Sequence, residues 1–167
     1  LVAGGGPAGT NAAIAAAREG ARVLLVEATG ALGGMGTNGL VSSWYCMGNN
    51  VHSMVGGLMV EICEHLYERG AITPGYGPER WQRTKPGFGF DPEVLKRLLD
   101  ELCDDAGVER RYMTRVVDVD ASSEEGVVRG AILHTIEGFQ YVPAKAFIDA
   151  TGDAVLADHC GVRSNRL

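Results

Sequence analysis

Six residues near the start of the sequence, Gly4-Gly5-Gly6-Pro7-Ala8-Gly9, space their glycines as GxGxxG. That spacing suits a main chain that must come close to a phosphate. Gly4 permits a tight turn, Gly6 lets the backbone approach a pyrophosphate, and Gly9 lets the following helix pack on the preceding strand. Peptide N–H groups at the helix start, with Pro7 and Ala8 among the first helical residues, then face the anion, which the helix dipole favours. Downstream, Glu27 closes the apolar run Val23-Leu24-Leu25-Val26. A carboxylate there accepts the hydroxyls of an adenosine ribose and disfavours a 2′-phosphate. The two features point to a dinucleotide lacking that phosphate, and they leave NAD and FAD as alternatives.

The elements that must hold these residues follow from periodicity. Leu1-Val2-Ala3 reads as the end of a strand, and Pro7 to Glu19 as an alanine-rich helix stopped by Gly20. Arg22 to Val26 reads as a buried parallel strand, which completes a βαβ unit. Residues 29–55 are rich in Gly, Asn and Met with little periodicity, as in a functional loop. A helix fits Gly57 to Arg69, with Leu58, Ile62 and Leu66 on one face and Gly70 as its stop. Residues 71–90 carry three prolines and many glycines and read as a surface excursion. Asp91 then caps the clearest helix, whose Val94, Leu95, Leu98, Leu99 and Leu102 recur at helical spacing.

After Gly107 the period becomes two. Residues 108–112, 116–120, 127–136 and 139–144 read as strands, the last three as an antiparallel β-meander. Ala146 to Ala150 reads as a buried strand that ends in Thr151-Gly152-Asp153. The polar run Glu109-Arg110-Arg111 departs from a buried parallel strand and fits the edge of a sheet.

A second glycine pair, Leu32-Gly33-Gly34-Met35-Gly36-Thr37, stands where a simple NAD domain would continue into its next helix. Taken together, GGGPAG, VEATGALGGMGTNGLV, FDPEVLKRLLDELCDDAGV, TRVVDV and FIDATGDAVLA resemble the FAD-dependent oxidoreductases of the glutathione-reductase-like flavoprotein superfamily. The resemblance covers nearly all 167 residues. It implies an α/β fold: a Rossmann-like FAD-binding domain with a parallel sheet flanked by helices and an antiparallel β-meander crossover. It further implies that Gly4, Gly6, Pro7, Ala8 and Gly9 hold the FAD pyrophosphate, and Glu27 the adenosine ribose, with Ala28 nearby. Gly33, Gly34, Met35 and Thr37 match a loop that passes along the pyrophosphate, ribityl chain and flavin. Val116 matches a residue whose backbone meets the adenine, and Ala150, Thr151, Gly152 and Asp153 match the motif that closes over the dinucleotide.

The expected function is that of the FAD-binding portion of a flavin-dependent oxidoreductase moving electrons between a small organic substrate and FAD. An NAD-linked dehydrogenase domain and a non-catalytic dinucleotide-binding module are the alternatives. In flavoenzymes the ring carries the electrons, so catalytic residues are not assigned, nor are the electron donor or acceptor and the oligomeric state. Trp44, Tyr45, Cys46 and His52 follow the GGMGT loop and could face a flavin, with packing as the alternative. His159 reads as a helix-surface residue beside a buried Cys160, Cys63 as core and His65 as partner-facing. Met47, Met54 and Met59 read as core filler.

The net charge of −6 gives no footprint for nucleic acid, and no apolar run has the length to span a bilayer. Cys46, Cys63, Cys103 and Cys160 form no CxxC pair, so neither a metal site nor a disulfide framework is expected, and reduced thiols suit a cytoplasmic protein. The whole segment 1–167 is expected to form one FAD-binding domain, incomplete at both ends and inactive by itself. Residues 38–90 are expected to make an excursion towards the substrate side.

Overall fold

The computed structural model describes residues 1–45, 47–78, 87–122 and 126–162. In chain order its elements are β1 (Val2–Ala3), α1 (Pro7–Arg18), β2 (Leu24–Val26), β3 (Ser43–Trp44), α2 (Leu58–Glu68), β4 (Phe88–Gly89) and α3 (Pro92–Ala106). They continue with β5 (Glu109–Arg111), β6 (Arg115–Ser122), β7 (Val127–Thr135), β8 (Gly138–Pro143), β9 (Ile148–Asp149) and α4 (Val155–His159), and a 3-10 turn covers Gly34–Gly36. The chain divides into two units, one of Leu1–Leu32 with Leu102–Leu167 and one of Gly33–Glu101.

The first unit holds a parallel sheet of order β5-β2-β1-β9 and an antiparallel sheet of order β6-β7-β8. The parallel pairs are Val2 with Leu25, Val2 with Ile148 and Leu25 with Arg110. The chain passes to opposite sides of β1 in β2 and β9, which makes the carboxyl ends of β1 and β9 the topological switch point, where ligands of such sheets bind. Helix α1 buries Thr10, Ala13 and Ile14, and it ends where Gly20 takes a φ of 87°. Apolar residues of both sheets and of α4 share one core: Ala3, Val26, Val116, Ala131, Leu133 and Leu156. The meander therefore anchors on the parallel sheet through alternate residues of β6 and β7. Its β6 edge carries register shifts at Val116/Asp118 and Asp120/Ala121, bulges that twist an edge strand locally. On the opposite face of the meander, Tyr141 lies over Gly130, and its hydroxyl donates to Asp120 at 2.9 Å.

The polar strand β5 lies at the sheet edge, as its composition predicts. The strand expected at 146–150 is shorter: only Ile148–Asp149 pair, and Ile148 is 39% exposed rather than buried. Nothing pairs on the outer flank of β9 among the described residues, which explains that exposure.

The second unit contains α2, the antiparallel pair β3–β4 and the first part of α3. Asp91 caps α3 as its position predicts, its Oδ1 accepting the N–H groups of Glu93 at 2.8 Å and Val94 at 3.2 Å. Strands β3 and β4 had no periodic signature, because two-residue strands are too short to show alternation. Ile62, Cys63 and Leu66 are the buried face of α2. Of the three methionines read as core filler, Met47 is buried, but Met54 is 65% exposed and fills no core.

Candidate functional site

The glycine turn is fixed by contacts that no other residue could make. The Gly4 N–H donates to the Val26 carbonyl at 2.9 Å, and its φ of 95° lies in the left-handed region that favours glycine. A methyl group on Gly4 would sit 2.5 Å from the Ala150 oxygen, and one on Gly9 would overlap the Gly4 carbonyl and lie 3.0 Å from the Ala150 methyl. Gly4 and Gly9 therefore bring the turn, helix α1 and the end of β9 into contact. Gly6 differs, since a methyl there would meet nothing within 4 Å. It is the N-cap of α1, with Pro7 following, and no side chain caps the helix. The helix start thus has no side-chain cap and open space beside Gly6, and an uncapped helix start is what a pyrophosphate requires.

Gly5 was not singled out in the sequence, yet it joins the turn to the acid. Its N–H donates to Glu27 Oε2 at 2.6 Å, its carbonyl accepts the Thr10 hydroxyl at 2.8 Å, and a methyl on it would lie 2.6 Å from Leu32 Cδ2. Glu27 is 8% exposed, and its Oε1 accepts both the N–H of Thr29 at 2.8 Å and the Thr29 hydroxyl at 2.7 Å. Three donors hold this buried carboxylate in place, which is how a buried charge is tolerated. The following segment runs beside the end of β5, with Thr114 N–H donating to the Glu27 carbonyl at 2.9 Å. Ala28 is half-buried there.

The ATGD turn is organised by Asp149, a residue that in the sequence reads only as part of the strand. Its Oδ1 accepts the N–H and hydroxyl of Thr151 at 3.1 and 2.7 Å, and its Oδ2 accepts the Ala157 N–H at 3.0 Å. Thr151 Oγ1 accepts in turn from the Val155 N–H at 2.9 Å. Burial raises the Asp149 carboxyl, but hydrogen bonds from Ala157, Thr151 and Leu156 outweigh it and hold its pKa below the usual aspartate range. The hydroxyl of Thr151 is committed to this network, so its backbone is what the turn presents beside Gly4. Gly152 and Asp153 are exposed, and Ala154 adopts a left-handed φ of 53° before α4. Val116 buries its side chain in the shared core. Because β6 is an edge strand, the Val116 main chain has a flank unpaired within its sheet.

Gly33, Gly34, Met35 and Thr37 belong to the second unit. Gly33 has a φ of 97°, and a methyl on it would lie 2.5 Å from Thr37 Cγ2. Thr37 is fully buried and donates its N–H to the Gly34 carbonyl at 3.2 Å, while Met35 is 64% exposed. Trp44 stacks on Phe90 with centroids 4.1 Å apart and meets Phe88 edge-on at 5.8 Å, the packing alternative for this residue. Tyr45 and His52 are exposed, and Cys46 lies outside the described residues. His65 pairs with Glu68 at 3.4 Å. In the first unit, exposed His159 lies 3.2 Å from Asp118, and Cys160 is half-buried rather than buried. Among the described residues no cluster of three or more His, Cys, Asp or Glu could hold a metal ion, and no helix is long and apolar enough to cross a membrane.

Gly5, Thr29 and Asp149 are the contributors missed in the sequence. The middle glycine of the GGG run was itself a usable signal for Gly5, whereas Thr29 and Asp149 act through side-chain hydrogen bonds that carry no pattern.

The structure is similar to that of the THI4 protein of Thermovibrio ammonificans, with a TM-score of 0.64 and 20% identity, over 99% of this chain and 62% of the other. A geranylgeranyl bacteriochlorophyll reductase-like protein of Thermoplasma acidophilum gives a TM-score of 0.70 at 23% identity, over 100% of this chain and 42% of that one. For 3-ketosteroid-Δ4-(5α)-dehydrogenase of Rhodococcus jostii the values are 0.59 and 20%, over 90% of this chain and 45% of the other. This chain thus spans less than two thirds of the length of these proteins. No curated protein matches it in sequence. The family model described as FAD dependent oxidoreductase matches residues 1–165, and the chain belongs to that family.

Proposed function

We propose that the chain is the FAD-binding portion of a flavin-dependent oxidoreductase acting on a small organic substrate. FAD is the cofactor of its family. The observation that carries the reading is the pairing of an uncapped helix start at Gly6, open to ligand, with the buried carboxylate of Glu27 one hydrogen bond away through Gly5. The first feature suits a pyrophosphate, and the second an adenosine ribose.

In this reading Gly4, Gly6, Pro7, Ala8 and Gly9 cradle the pyrophosphate, and Glu27 with Ala28 binds the ribose. The Val116 backbone meets the adenine, and Ala150, Thr151, Gly152 and Asp153 close over the dinucleotide. Gly33, Gly34, Met35 and Thr37 run along the ribityl chain and flavin. When bound, the flavin supplies the electron-carrying ring. The residues of this chain bind and orient it, and the rigid turn held by Asp149 excludes water from one side of the pyrophosphate. A second partner, an electron donor or acceptor, completes the redox cycle. Cys63, Cys103 and Cys160 are free thiols, which supports a reducing, cytoplasmic setting.

The test is competitive titration of the chain with FAD and NAD, followed by flavin fluorescence and calorimetry. Saturable binding of FAD in preference to NAD is expected. Preference for NAD over FAD refutes the reading.

A further inference from the structure

Glu27 is the sole buried carboxylate among the described residues, and the way it is held limits what it can still accept. An ionised carboxylate has about four acceptor positions, two on each oxygen. Both positions on Oε1 are occupied, by the Thr29 N–H at 2.8 Å and the Thr29 hydroxyl at 2.7 Å. One position on Oε2 is occupied, by the Gly5 N–H at 2.6 Å. The Thr29 hydroxyl also lies 3.1 Å from the Ala31 carbonyl, but it has a single proton, and the nearer, charged oxygen is the stronger acceptor. A single acceptor position on Oε2 is left.

We propose that Glu27 accepts one hydroxyl of the adenosine ribose, at Oε2, and that Thr29 enforces this single contact by filling Oε1. The inference rests on the assignment of Glu27 to the ribose made above and adds a specificity-determining residue to it. The 2′- and 3′-hydroxyls of the adenosine thereby become inequivalent to the protein. Replacing Thr29 by valine removes one donor while keeping the side-chain shape and the main-chain N–H, and so it frees a position on Oε1 for a second hydroxyl. Replacing it by serine keeps the donor.

The test uses FAD and two counterparts whose adenosine lacks either the 2′- or the 3′-hydroxyl, titrated against the chain by flavin fluorescence. A hydrogen bond to a charged group contributes enough that its loss weakens binding by about 10- to 100-fold. In the unmodified chain one counterpart is expected to bind that much more weakly than FAD, and the other within about threefold of it. In Thr29→Val both counterparts bind more weakly than FAD, by similar factors, and Thr29→Ser repeats the original asymmetry. Equal weakening of both counterparts in the unmodified chain overturns the single-contact inference but keeps Glu27 at the ribose. An asymmetry that persists in Thr29→Val overturns the role of Thr29. Equal binding of all three ligands removes Glu27 from the ribose altogether, and that pattern overturns the assignment on which the inference rests.

Discussion

Gly4 and Gly6 stand two residues apart in one turn, yet alanine at the two positions should act on different properties. At Gly6 the backbone has φ −68° and ψ −176°, extended values that any residue adopts, and the added methyl meets nothing within 4 Å. Fewer conformations in the unfolded chain contribute about 0.4–1 kcal/mol, and the poorer helix cap of alanine costs a similar amount, about 0.5–1 kcal/mol. The net change in stability is within about 1 kcal/mol, and for a chain of this size that shifts Tm by no more than about 4 °C. At Gly4 the methyl would lie 2.5 Å from the Ala150 oxygen, 2.8 Å from its carbonyl carbon and 3.0 Å from the Thr151 nitrogen. All three are backbone atoms, so the strand end itself must move. The left-handed backbone costs about 1–2 kcal/mol and the overpacking about 1–3 kcal/mol. Together they lower Tm by roughly 4–20 °C. The assay is thermal unfolding of both variants without cofactor, paired with FAD titration of the same samples. Gly6→Ala should melt with the parent chain yet bind FAD at least about tenfold more weakly, because its methyl occupies the space a pyrophosphate needs. A Gly6→Ala protein that melts as low as Gly4→Ala, or that binds FAD like the parent, would refute the reasoning.

Three other perturbations test the hydrogen-bond networks. Asp149→Asn leaves the Ala157 N–H facing an amide and should cost about 1–3 kcal/mol. The Asp149 pKa is lower folded than unfolded, so its stabilisation is complete above the unfolded value of about 3.9 and fades as pH falls through the folded one. Stability profiles of parent and variant should therefore converge only in strong acid, and a constant gap down to the lowest pH would contradict this. Burial, helped by the neighbouring Glu64, pushes the Cys63 thiol up to about 12. Alkylation of the native chain near pH 8, mapped by peptide, should label Cys160 and spare Cys63; rapid labelling of Cys63 would show that α2 opens. The hydrogen bond from Tyr141 to Asp120 raises the phenol pKa. In Asp120→Asn its ultraviolet titration midpoint should fall, and an unmoved midpoint would show that the contact is not populated in solution.

The parallel sheet, the meander and the glycine turn were legible because each carries a periodic or stereochemical signature. Val23 to Val26 is apolar throughout, β7 and β8 alternate, and Gly4 needs a backbone that other residues avoid. Even the exception was readable, since the polar run Glu109-Arg110-Arg111 fits an edge strand, and β5 lies at the edge. What escaped depends on side chains meeting across the fold. Nothing in the run DATGD tells Asp149 from a strand residue until α4 folds back and presents the Ala157 N–H. Thr29 likewise reads as an ordinary loop threonine until Glu27 is buried beside it. The error at Met54 has the same root, because composition cannot distinguish a loop that folds inward from one that stays in solvent.

The pairing of β1 with β9 joins Val2 to Ile148 and Ala3 to Asp149, and this sets an order of events during synthesis. At about 5–20 residues per second, roughly 7–30 s separate the two strands as the chain is made. Through that interval the glycine turn has its helix and its acid but lacks the wall that Ala150 forms against Gly4. A ligand that prefers the completed turn therefore cannot template the early steps. It can only select and retain chains that have already closed a long loop, whose entropy grows slowly with length but must be met before any pairing energy returns. Mutations that loosen β9 should for that reason appear first as slow maturation of the cofactor-bound form, before any change in the finished protein is measurable.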